Sequence, residues 1–110
     1  MARAAADIDV AELLLRRAVQ AHHGPQAEWP QLLARSVRDH TRASELATAA
    51  VDTLLTLSGT SGFATASVLQ RAWRDVHFAA THISLNIEFN YGHFGRMEFG
   101  LGINPAYPMF

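Results

Sequence analysis

At 110 residues the chain makes one domain, too short to hold a complete cofactor-binding fold beside a helical bundle. Its formal net charge is −1, and its nine basic residues are all arginine and spread along the chain, which argues against nucleic acid or an anionic membrane as main partner. It has no cysteine, so disulfides, thiolate metal sites and cysteine nucleophiles are excluded.

The start is interrupted by Asp7 and Asp9, where a secretory signal would need an apolar stretch. No apolar run approaches the roughly 20 residues of a membrane span. HExxH and CxxC are absent, so no metal site is expected. Composition therefore predicts a soluble, cytoplasmic protein.

Periodicity predicts four helices, at about 8–23, 30–57, 67–84 and 87–101. In the first, Asp7 or Asp9 is the expected cap. Ile8, Ala11, Leu14, Leu15, Ala18 and Val19 form the expected buried stripe, with Arg16, Arg17 and Gln20 facing out. Gly24-Pro25 ends this helix, and His22 and His23 suit its negative C-terminus. Adjacent helical residues point about 100° apart, so the two imidazoles do not form a chelate.

Pro30 fits the first turn of the second helix. Leu33, Val37, Ser44, Ala47, Val51, Leu54 and Leu55 read as its buried side, and Arg35–Asp39 and Arg42–Glu45 as surface pairs. The half A-S-E-L-A-T-A-A-V-D-T-L-L is rich in small residues, which let a neighbouring helix approach closely.

The loop S-G-T-S-G follows, from Ser58 through Gly59, Thr60 and Ser61. A Gly-rich loop before a helix can hold a phosphate; this one lacks the Lys-Ser/Thr of a P-loop and has no strand before it. It therefore reads either as a plain turn or, with Arg71 and Arg74, as a cofactor-binding element. Ser67 is the expected cap of the third helix. Arg71, Asp75, Phe78 and His82 are spaced four, three and four residues apart, which predicts one shared face carrying an Arg71–Asp75 pair. Leu69, Ala72, Trp73, Val76, Ala80 and Ile83 make the core side. Asn86 is the expected cap of the fourth helix, where Phe89, Phe94, Met97 and Leu101 keep an apolar stripe. The chain then ends in an extended aromatic tail from Asn104.

The run L-Q-R-A-W-R-D-V-H-F-A-A-T-H after S-G-T-S-G resembles the C-terminal helical domain of the acyl-CoA dehydrogenase superfamily. It is more similar to the flavin-dependent monooxygenase branch, the oxygenase components of two-component aromatic hydroxylases. Arg71, Trp73, Arg74, Asp75 and His82 carry the likeness, and Tyr91–Arg96 resembles the tail of that branch. The resemblance implies an all-α, antiparallel four-helix bundle belonging to a three-domain enzyme with an N-terminal helical and a central β domain. It implies reduced flavin (FMN or FAD) shared with domains this sequence lacks, a homo-oligomer that is usually a tetramer, and a flavin reductase acting in trans. The remaining domains, or a companion subunit, would complete the site.

The resemblance makes His82 the catalytic candidate, near the flavin ring. The dehydrogenase branch places a Glu base close by; Thr81, His82 and Ile83 offer no acid, which favours oxygen chemistry over proton abstraction. Two alternatives stay open. One is a non-catalytic helical oligomerisation module, and the other a fragment of an acyl-CoA dehydrogenase-like oxidoreductase.

Overall fold

The computed structural model describes residues 1–60, 67–82 and 86–105. These form α1 (Ala2–Gln20), two short 3-10 turns (Ala21–His23 and Gln26–Glu28), α2 (Trp29–Leu57), α3 (Val68–Ala80) and α4 (Ile87–Glu98). The predicted all-α class and the four helices are borne out. α2 is the spine, and α1, α3 and α4 each pack against it.

The α1–α2 contact is a seam of small side chains. Ala4, Ala11 and Ala18 recur every seven residues on α1 and are its buried residues. Ser36, Ala43 and Ala50 recur with the same period on α2. Ala11 packs with Ala43 and Leu46, and the Ser36 hydroxyl donates to the Ala18 carbonyl at 3.3 Å. That antiparallel register sets Ala4 opposite Ala50. A seven-residue repeat holds one seam against a partner helix, and small side chains on it bring the backbones close.

This seam corrects the expected stripes. Ile8, Leu15 and Val19 on α1, and Leu33 on α2, are exposed. Val37, Ser44, Ala47, Val51 and Leu54 are only half-buried, and of the expected α2 stripe Leu55 alone is buried. When the backbones approach on alanine, larger residues one position aside are pushed to the rim.

The largest fully buried side chains among the described residues are polar: Asn90, Thr41 and Asp39. Asp39 does not pair with Arg35 as the spacing suggested. Arg17, expected to face only solvent, reaches across from α1 with Nε and Nη2 at 2.7 and 2.9 Å from the two Asp39 oxygens. Arg38 adds two more bonds to Asp39 Oδ1, at 3.1 and 2.9 Å. Burial pushes the Asp39 carboxyl up, but the hydrogen bonds from Arg17 and Arg38 outweigh it and hold the group below the usual carboxylate range. The Arg42–Glu45 pair does form, at 3.7 Å.

α4 docks through polar groups as well. Asn90 Nδ2 donates to Thr41 Oγ1 at 2.7 Å, and that hydroxyl donates to the Val37 carbonyl at 2.8 Å. The Tyr91 hydroxyl donates to Glu45. Arg38 lies over the Phe94 ring, 4.4 Å from its centroid, so one guanidinium ties the Asp39 cluster to α4.

The helix ends largely follow the sequence. Ser67 accepts from the Gln70 amide and Asn86 from the Phe89 amide, as caps. Asp7 and Asp9 do not cap, because α1 already starts at Ala2 behind Met1. α4 stops at Glu98 in a Schellman turn, with Leu101 N donating to Arg96 O and Gly100 N to Met97 O. Gly100 sits at φ +71°, where a side chain is strained. Gly100→Ala is expected to lose about 1–2 kcal/mol in urea unfolding, with Gly92→Ala, at an open helical position, as the neutral or stabilising control. The expected aromatic tail beyond Pro105 lies outside the described residues, as do Ser61 and Ile83.

Candidate functional site

α3 runs back along α2 and carries the candidate residues on its outer side. Arg71, Asp75, Phe78 and His82 are all exposed, as their spacing predicted. Leu69, Ala72, Trp73, Val76 and Ala80 are the half-buried side. Two details differ from expectation. Arg71 and Asp75 form no ion pair within 4 Å. The helix also ends at Ala80, where the Thr81 hydroxyl donates to the Phe78 carbonyl at 2.7 Å. His82 therefore stands in a turn, its amide bonded to the Ala79 carbonyl at 3.0 Å.

The candidates fall into two groups at opposite ends of α3. Ser58, Gly59 and Thr60 follow the last turn of α2. Gly59 adopts φ +67° with open space where a side chain would stand. The antiparallel register brings Arg71 level with this end, and Arg71 and Arg74 form no ion pair among the described residues. His82 lies eleven residues beyond Arg71, about 16 Å along the axis at 1.5 Å per residue. The structure thus does not gather His82 and the Gly-rich loop at one point.

Beside the His82 turn lies a groove of about 360 Å³ between α2 and the facing ends of α3 and α4. Thr41, Ser44, Glu45, Thr48, Ala49 and Asp52 form its floor, and Ala80 and Ile87, on either side of the turn, form its rim. The Thr48 hydroxyl donates to the Ser44 carbonyl at 2.8 Å. Burial, then the Glu45 carboxylate, pushes the Tyr91 hydroxyl up to about 12, so it stays a donor.

Two residues here, Asp52 and His77, escaped the sequence reading, and Trp73, expected in the core, joins them. Asp52 Oδ1 accepts from Trp73 Nε1 and contacts His77 Nε2, each at 2.7 Å. The His77 hydrogen bond holds the Asp52 carboxyl below its ordinary range against the effect of burial, and Trp73 helps. The available signal was Trp73 and His77 one turn apart, facing a single acid set in the small-residue half of α2. No group of three or more metal-ligating side chains occurs among the described residues, and none of the described helices is long and apolar enough to cross a membrane.

Comparison with known proteins gives this geometry a context. Residues 1–87 match the family model of the acyl-CoA dehydrogenase C-terminal domain. The oxygenase subunit HsaA of a flavin-dependent monooxygenase from Mycobacterium tuberculosis is 37% identical over 105 residues, covering 92% of this chain. HsaA from Rhodococcus jostii is 38% identical over 73 residues, 66% of this chain and 19% of the relative. Among solved structures, XiaF from a Streptomyces species in complex with FADH2 and glycerol superposes with a TM-score of 0.83 at 33% identity, over 99% of this chain and 28% of that one. The crystal structure of the M. tuberculosis HsaA monooxygenase gives 0.77 at 34% identity, over 91% of this chain and 27% of that one. The chain spans 27% of the length of its M. tuberculosis relative. It belongs to the acyl-CoA dehydrogenase C-terminal-domain family.

Proposed function

We propose that the chain is the C-terminal bundle of a reduced-flavin-dependent monooxygenase, giving one wall of the flavin and substrate site and part of an oligomer interface. The observation that carries this reading is relatedness along nearly the whole chain to HsaA, joined to the superposition on XiaF, whose structure holds FADH2. The other domains, or a companion subunit, complete the site, and a flavin reductase supplies the cofactor.

The residues present fit a flavin nucleotide. Ser58, Gly59, Thr60 and Ser61, with the exposed guanidinium groups of Arg71 and Arg74, suit its phosphate-bearing chain. These groups would hold the phosphates, and His82, about 16 Å farther along the axis, would meet a different part of the cofactor. Reduced flavin, when bound, supplies the electrons that activate dioxygen. His82 is the catalytic residue. Its imidazole takes the proton of a substrate hydroxyl, or gives a hydrogen bond to an oxygen, near neutral pH. Its exposed position suits a role beside a ring and a substrate held mainly by other parts of the enzyme.

The test is the chain assembled with the remaining domains its relatives carry, given reduced FAD and then reduced FMN. His82→Ala is expected to lower hydroxylated product per flavin oxidised by about 100-fold while reduced-flavin binding holds. Arg71→Ala with Arg74→Ala is expected to weaken that binding about tenfold. Unchanged turnover in His82→Ala removes His82 from the mechanism; an assembly that binds neither flavin removes the whole reading.

One observation favours a second reading, a non-catalytic association module. Ile8, Leu15 and Val19 flank the alanine seam on α1 yet stay exposed, Val19 at 61%, and Leu13 is 66% exposed on another face of the same helix. Sedimentation separates the two: a discrete oligomer that binds no flavin supports the module.

A further inference from the structure

α3 is held to the spine in a way its apolar content does not explain. It buries no side chain fully, and Phe78 is 80% exposed. Both side-chain hydrogen bonds that the described residues show between α2 and α3 end on one atom, Asp52 Oδ1. Trp73 and His77 lie one turn apart with ring centroids 4.5 Å from each other, so they reach that oxygen as a braced pair. With Nε2 facing a carboxylate, His77 carries a hydrogen on that nitrogen.

Two donors on one helix and one acceptor on another fix both slide and rotation. Sliding α3 by one residue would turn both rings about 100° away from the oxygen. Leu69, Trp73 and Val76 on the facing side are only half-buried, so no fully buried knob resists slippage. The polar contact is the feature that breaks this degeneracy.

We infer that Asp52 is a positioning residue, whose Oδ1 pins Trp73 and His77, sets the register of α3 on α2, and so fixes where the His82 turn stands. Its relevance to catalysis rests on the flavin reading above; the pin itself does not. No step of chemistry is assigned to Asp52 or His77.

Hydrogen exchange by mass spectrometry on the 110-residue chain tests the pin. Amides of α3 should exchange about tenfold faster in Asp52→Ala and His77→Leu, with the α1–α2 seam unchanged. His77→Gln should stay within about twofold of wild type, because its side-chain amide can donate to the same oxygen. The His82 ring nitrogen signals should shift in His77→Leu and return in His77→Gln, which general loosening of the fold would not produce. Should Asp52→Ala fail to fold, the two His77 variants decide the matter.

Unchanged α3 exchange overturns the pin, and so does acceleration shared equally with the seam, or a Gln variant no better than Leu. If α3 loosens as expected but His82→Ala leaves turnover intact in the assembled enzyme, the flavin reading falls and the pin stands. If α3 is indifferent to Asp52 while His82→Ala abolishes turnover, the reverse holds.

Discussion

Replacing Arg17 and Arg38 together by methionine is expected to destabilise the chain by about 3–5 kcal/mol, more than removing the carboxylate they share. The asymmetry follows from burial. The Asp39 side chain is 1% exposed, whereas Arg17 is 44% and Arg38 32% exposed. Without the arginines, a carboxylate is left uncompensated inside the protein. Without the carboxylate, two guanidinium groups keep much of their water, and Asp39→Ala loses only hydrogen bonds to a charged group, about 1.5–3 kcal/mol.

The pH dependence carries a sign that separates the two cases. In the wild type the folded Asp39 carboxyl lies below its ordinary value of 3.8, so its contribution is present above about pH 4 and lost as pH falls through the lowered value. In the double arginine variant burial acts alone and raises the folded value. Its carboxyl then stabilises only at acid pH, and that stability is lost as pH rises from about 4. Urea midpoints between pH 3 and 7 should therefore rise in the wild type and fall, relative to it, in the variant. A parallel pair of curves would mean that the pair is not what holds Asp39 ionised.

Ala43→Leu is the second large effect, expected at about 3 kcal/mol. Ala43 is 2% exposed and meets Ala11 at the centre of the seam. A leucine there meets Ala11 and Leu46 at close range, and making room for it means moving α1 away from α2. That movement also stretches the Ser36–Ala18 bond and the Arg17–Asp39 pair, so its cost should not add simply to the loss from an Asp39 variant. Leu13→Ala cuts back a large apolar side chain on α1, yet is expected to change stability by no more than about 0.5 kcal/mol, because Leu13 already faces solvent. Thermal melting of the two variants side by side checks the contrast. Equal losses would show that large side chains, and not the alanine seam, hold α1.

Both expectations run against a plain hydropathy reading, and the reason shows where the sequence was legible. Helix existence was readable because the 3.6-residue period, Pro30, Ser67 and Asn86 act locally, each through its own backbone neighbours. The outer side of α3 was readable for the same reason, since Arg71, Phe78 and His82 keep their spacing in any tertiary setting. The seam was written in the sequence too, as Ala4, Ala11, Ala18 against Ser36, Ala43, Ala50. It was overshadowed by Ile8, Leu15, Val19 and Leu33, whose larger transfer energies dominate any periodicity count. Asp39 was misread, and Asp52 passed over, because a carboxylate on a helix looks like a solvated residue until its partner on another helix is known.

The amino-acid order alone determined that four helices form, where most of them begin, and which side of α3 carries His82 and the two arginines, because these depend on neighbours a few residues away. It also carried the motif that joins the chain to its family. Tertiary structure alone decided that α1 meets α2 through alanines, that Asp39 is buried between two arginines, and that Asp52 holds Trp73 and His77. It also decided that the Gly-rich loop and His82 stand at opposite ends of α3. Each of these turns on how closely two helices approach and in what register, and that is settled by packing between residues 20 to 50 positions apart, which no local pattern records.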